Sequence, residues 1–118
     1  MPGYNNIGIA YENGAGVERD VKKAKCYWEL AIMGEDVEAR HNLGVHEYEA
    51  RNMDRAVKHW MIAAAAGFDK SLKAIRDGYL NGHVTKDDFE TALRSHKEAK
   101  DETKSEQREA AARFYGLN

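Results

Sequence analysis

"NIGIAYENGAGVERDVKKAKCYWELA" (residues 6–31) and "NLGVHEYEARNMDRAVKHWMIA" (residues 42–63) together decide the fold. Both open on Asn-aliphatic-Gly, and both later carry Ala-x-x-x-Trp-x-x-Ala. Gly8 returns as Gly44 after 36 residues, whereas Ala24, Trp28 and Ala31 return as Ala56, Trp60 and Ala63 after 32. The difference of four falls in the link between the two halves of the unit, so only that link changed length. Shifting the first copy by 68 exposes a third, degraded copy: Ile7 falls on Ile75, Tyr11 on Tyr79, Asn13-Gly14 on Asn81-Gly82 and Asp20 on Asp88. Ala24, Trp28 and Ala31 fall on Ala92, His96 and Ala99. Self-similarity at a fixed period is the mark of a repeat array.

Each unit reads as two helices. Ile7 and Tyr11 lie four apart on one face, and Gly14 is suited to a left-handed stop. Ala24, Trp28 and Ala31, spaced four and three, form one apolar stripe in which small alanines flank an indole. Gly14 and Gly16 give the first unit a longer hairpin, while the second turns through "EARNMD" with Asn52 or Asp54 as cap. Between units, Gly34 and Gly67 are predicted stops, with Asp36 and Asp69 as the caps that follow. Thr85-x-x-Asp88 resembles a capping box. From Lys97 to Arg108 only Ala99 is apolar, which suits a solvated helix or tail. Ala111, Phe114 and Tyr115 are expected to fold back over the open end.

The 118 residues suffice for one domain. Charged residues make up 32%, with a net charge of −2 and both signs interleaved, so no nucleic-acid surface is indicated. No apolar run approaches the length of a membrane span. One cysteine, Cys26, has no internal partner, which fits a reducing, cytoplasmic setting. Helix formers fill the long segments and β-branched residues never alternate, so the expected class is all-α.

The pattern Asn-Ile/Leu-Gly-x-x-Tyr, Asn-Gly-x-Gly-Val-x-x-Asp and Lys-Ala-x-x-Tyr-Trp with its Ala-rich helix end resembles the Sel-one-like repeat (SLR) family, relatives of the tetratricopeptide repeats. The resemblance is closest over residues 6–44, weaker over 42–71 and partial over 74–99. It implies a right-handed α/α superhelical solenoid of about two and a half helix-turn-helix repeats plus a C-terminal helix. The repeats would span 4–35, 36–68 and, as a degenerate cap, 69–99, with a charged C-terminal helix or tail over 100–118. Unit two lacks Gly-x-Gly, and unit three has Arg76 for the glycine and His96 for the tryptophan, polar replacements that suit a terminal cap. The resemblance also implies a non-catalytic scaffold for a protein or peptide, gripped in a groove lined by first helices. Asn42, His46 and Glu49, spaced four and three, and Asn6, the equivalent of Asn42, are the expected partner-binding residues. The alternative is a fragment of a longer array, monomeric or weakly self-associating through open ends, with no partner of its own.

No catalytic, metal or cofactor site is expected. His41 and His46 lie five apart on different sides of a helix, and no Cys or acidic residue completes a ligand set with them and His59. Cys26 sits one position off the apolar stripe, where a partly buried structural role is expected, and no Cys/His motif accompanies it. Gly14-Ala15-Gly16 follows a helix and lacks a Gly-Lys-Ser/Thr ending, so it is a turn and not a phosphate loop. Asp87-Asp88 opens a helix, where acidic side chains favour the positive end of the dipole.

Overall fold

Apolar side chains spaced three and four apart build six α-helices in the computed structural model, which describes residues 3–116. These are α1 (Tyr4–Asn13), α2 (Val21–Met33), α3 (Val37–Glu49), α4 (Met53–Ala65), α5 (Asp69–Leu80) and α6 (Lys86–Phe114). There is no strand among the described residues, and the chain is an all-α solenoid as expected. Neighbouring helices pack in chain order, and α6 rests on both α4 and α5.

The predicted punctuation mostly appears where it was expected. Gly14 ends α1 in the left-handed region (φ 70°) and returns its N–H to Ala10. Asp20, Asp36 and Thr85 cap α2, α3 and α6 by accepting the backbone N–H of Lys23, Ala39 and Asp88. Asp69 and Asn52 depart from it. Asp69 is already the first residue of α5, and its carboxylate goes to His96 Nε2 at 2.7 Å and Lys100 Nζ at 3.3 Å. Asn52 stands at the start of α4, but its amide reaches back to donate to Glu47 Oε2 at 2.8 Å.

The repeated glycine and the repeated tryptophan explain each other. Trp28 and Trp60 lie on α2 and α4 at 1% and 5% exposure. A methyl group placed on Gly8 would fall 2.6 Å from Trp28 Nε1, and one on Gly44 would collide with Trp60 at the same ring atoms. Each indole therefore lies across the bare backbone of the first helix of its own unit. Neither indole N–H finds an acceptor among the described residues, so shape and apolar burial, not hydrogen bonding, hold the rings. In the third unit both partners have changed together. Arg76 is allowed where glycine stood because no indole covers it, and His96 turns to Asp69 instead. Around these rings run two core clusters, Ala24-Trp28-Ala31-Ala39-Leu43 and Ala56-Val57-Trp60-Ala64-Ile75-Val84-Ala92. Each cluster joins a second helix to the first helix that follows it.

Two buried polar contacts tie the units. His41 Nδ1 and the fully buried Ser71 Oγ are hydrogen-bonded at 2.8 Å between α3 and α5. Glu47, buried where the other copies have Tyr11 and Tyr79, accepts from Asn52 and pairs with Lys25 Nζ at 3.6 Å. Burial raises the Glu47 carboxyl, but the Asn52 hydrogen bond and the charges of Lys25, Arg55 and His46 outweigh it and hold the group below the usual carboxylate range. Burial pushes the His41 and His59 imidazoles down, helped by Lys70 beside the first and Arg40 beside the second. The unfolded chain thus takes up protons at both imidazoles at higher pH than the folded chain does. Stability is expected to be full above the ordinary imidazole value of 6.5 and to decline as pH falls through it. A second decline should begin below 4.5, as Glu47 protonates in the unfolded chain first. Urea unfolding at stepped pH reads both, and His41→Gln/His59→Gln should flatten the upper limb alone.

α6 continues unbroken through residues 100–114, nearly all of them exposed. Phe114 and Tyr115 stack edge to face at 5.1 Å, yet they are 82% and 72% exposed. The expected fold-back over the open end is absent from the described residues, because the segment instead extends a helix whose own hydrogen bonds need no apolar partner. Residues 117 and 118 of that stretch lie outside the described residues. Cys26 is exposed, not partly buried, since its place beside the stripe turns it outward from α2.

Candidate partner-binding groove

The first helices α1, α3 and α5 meet along two seams that are repeat equivalents of each other. At the α1/α3 seam, Asn42 Nδ2 donates to Asn5 Oδ1 at 2.9 Å. One turn on, the His46 ring meets the edge of Trp28 with centroids 6.5 Å apart. A further turn on, Glu49 lies close enough to Glu12 to act on its charge. Burial, and then that like charge, hold the Glu12 carboxyl above the usual range, while Arg19 and His46 pull the other way. Arg19 Nε itself donates to the Glu12 backbone carbonyl at 2.8 Å.

Asn42, His46 and Glu49 therefore share the face of α3 turned towards α1. Asn6 does not join them. It is exposed, and Asn5, buried one position earlier and about 100° around the helix, meets Asn42 in its place.

A shift of 32 residues carries Asn42, Val45, His46 and Glu49 onto Ala74, Asp77, Gly78 and Asn81 of α5. Here the side chains are smaller. Where the first seam is filled by an amide and an imidazole, the second has only the methyl group of Ala74, and Gly78 is covered by Val84, whose Cγ2 would lie 2.7 Å from an added methyl. A cleft of about 350 Å³ remains, walled by Val45, Tyr48 and Trp60 on one side and by Asp77, Asn81 and His83 on the other. Tyr48 stands 5.9 Å from Trp60 and 6.5 Å from His83, measured between ring centroids, and is 42% exposed. No lysine or arginine lines it. The sequence reasoning missed Asn5, Glu12, Tyr48, Asp77, Asn81 and His83. Carrying Glu49 through the period of the repeat would have found Asn81, and carrying its neighbour Val45 would have found Asp77. Tyr48 and His83 could be found only by knowing that the α5 face is empty.

A hollow of about 410 Å³ lies at the other end of α3, between Ile32, Val37, Arg40 and Ile62. Its lining is largely aliphatic, with Glu35 and Asp36 as its carboxylates, and Asp36 is already engaged in capping α3. The histidines are dispersed over separate contacts: His41 on Ser71, His46 on Trp28 and His96 on Asp69. None of the helices among the described residues is long and apolar enough to cross a membrane.

The chain is similar to L21 of Acanthamoeba polyphaga mimivirus, a protein whose name describes it as Sel1-like repeat-containing, with 26% identity over 92 residues. The aligned part is 78% of this chain and 17% of L21, so the chain spans less than a fifth of that relative. No family model matches the chain, and no solved structure matches it. The similarity supports the Sel1-like repeat family that the glycine, aspartate and tryptophan motifs resemble.

Proposed function

We propose that this chain, a Sel1-like repeat relative, is a non-catalytic scaffold that binds a protein or peptide along the seams of its first helices. The observation that carries this is the pairing of a filled seam with an open one on the same helix faces. The solenoid places amide, imidazole, carboxylate and aromatic groups in a row on a rigid support, and it leaves room between α3 and α5 for a side chain of the partner. Asn42, His46 and Glu49 would form the upstream wall of such a site, with Asn6 at its exposed margin. Self-association through the downstream end is the less favoured reading. Lys97 and Lys100 of α6 stand where α4 has Met61 and the fully buried Ala64, so the last helix offers charge where stacking needs apolar surface.

Peptides selected from a random display library on the wild-type chain test the groove. They are expected to lose about tenfold or more in affinity for an Asn6→Ala/Asn42→Ala/His46→Ala/Glu49→Ala variant whose circular dichroism and melting match the wild type. Equal binding to both chains would remove the seams from the function.

A further inference from the structure

Resting on that reading, we infer that the cleft between α3 and α5 takes an arginine side chain of the bound partner. The cleft has three aromatic rings, Tyr48, Trp60 and His83, and one fixed charge on its walls, the carboxylate of Asp77. A planar cation is the group that uses both. A guanidinium stacks on an aromatic face with its charge over the ring, and its N–H groups fork onto a carboxylate. An aliphatic side chain would fill the cleft but leave Asp77 without a partner, and an acidic one would be repelled by it. Lysine offers the charge without the plane.

The surroundings favour the same sign. No lysine or arginine lines the cleft, and the adjoining α1/α3 seam carries Glu12 and Glu49 close enough to repel. Arg19, whose charge acts on Glu12, is tied to the Glu12 main chain. A second positive charge on the ligand, upstream of the first, would meet these carboxylates. Access is open, because Tyr48 is substantially exposed and Asp77, Asn81 and His83 are all at the surface. Trp60 also lines the cleft, and its indole N–H has no acceptor among the described residues. The ligand class is thus a peptide segment with arginine, with affinity that falls as salt rises.

The test is a titration of the isotope-labelled full chain, followed by nitrogen–proton correlation spectra, with acetyl-Ala-Arg-Ala-Arg-Ala-amide. The same peptide with glutamine, and then with glutamate, in place of arginine serves for comparison. The arginine peptide is expected to shift the Trp60 indole and the Asp77 and Asn81 amides saturably, and to bind about tenfold tighter than the glutamine peptide. Asp77→Asn, a surface change of nearly constant shape, should remove most of that difference, and Tyr48→Ala should weaken the arginine peptide with little effect on the other two. Equal binding by the glutamine peptide, or shifts confined to α6 around Asp87 and Asp88, would overturn the inference. If the arginine peptide fails while library peptides still require Asn42, His46 and Glu49, the cleft assignment falls and the scaffold stands. If neither depends on the seams, both fall.

Discussion

Trp60→Ala is expected to lower the unfolding free energy by about 3–5 kcal/mol, the usual loss for emptying a buried aromatic site. The ring shares its buried cluster with Ala56, Ala64 and Ile75, and Tyr48 lies tilted against it with centroids 5.9 Å apart. Of the helices on either side, α3 is capped by Asp36 and α5 is tied to it through the Ser71–His41 hydrogen bond, so the hole has little chance to collapse. Against a total of roughly 5–15 kcal/mol for a domain, such a loss brings the chain near its unfolding threshold. Chemical denaturation with circular dichroism reads it directly. A loss below about 1 kcal/mol would show that the indole is not the centre of the core. Trp28→Ala is expected to behave alike, with the effect passing to the Ala31–Leu43 contact between the first two units.

Gly44→Ala is expected to destabilise the chain even though alanine is the better helix former by about 1 kcal/mol. The added methyl has no room beside the Trp60 ring, and forcing a methyl into a packed site costs about 1–3 kcal/mol. The decisive measurement is a double-mutant cycle. In a Trp60→Ala background the obstruction is gone, so the same Gly44→Ala change should turn stabilising and recover part of the loss. A coupling energy of about 1 kcal/mol or more, with a change of sign, identifies the glycine as a seat for the ring. A penalty that persists without the indole would instead point to a backbone requirement at position 44, which the ordinary helical setting of α3 gives no reason to expect.

These two residues also show how far the sequence could be read. The recurrence of Gly8 and Gly44 at one offset, and of Trp28 and Trp60 at another, gives the helix pairs and the all-α class without coordinates. Most caps follow, because a short polar side chain three residues before a free N–H has few other uses. What failed was local competition. Asp69 had a rival partner in His96, 27 residues away, and Asn52 had one in Glu47 behind it. At the groove, spacing put Asn42, His46 and Glu49 on one face of α3, but not what that face meets. The choice between Asn5 and Asn6 is a matter of one helical step that only the packing of α1 decides. Emptiness is hardest to read from a sequence. Ala74 looks like a featureless helix residue until the opposite wall, with Tyr48 and Trp60, is in place.

The glycine–tryptophan contacts are alike in the first two units, although the hairpins that close them differ in length, with residues 14–20 in one and 50–52 in the other. The ring seated on the backbone sets how the two helices slide and roll against each other, and the connection merely has to reach. The 14–20 hairpin is therefore a natural graft point. A foreign epitope, a fluorophore tag or a second binding loop spliced between Gly14 and Asp20 would ride on the scaffold as cargo, leaving the alignment of the helices, and with it the two seams, where they were.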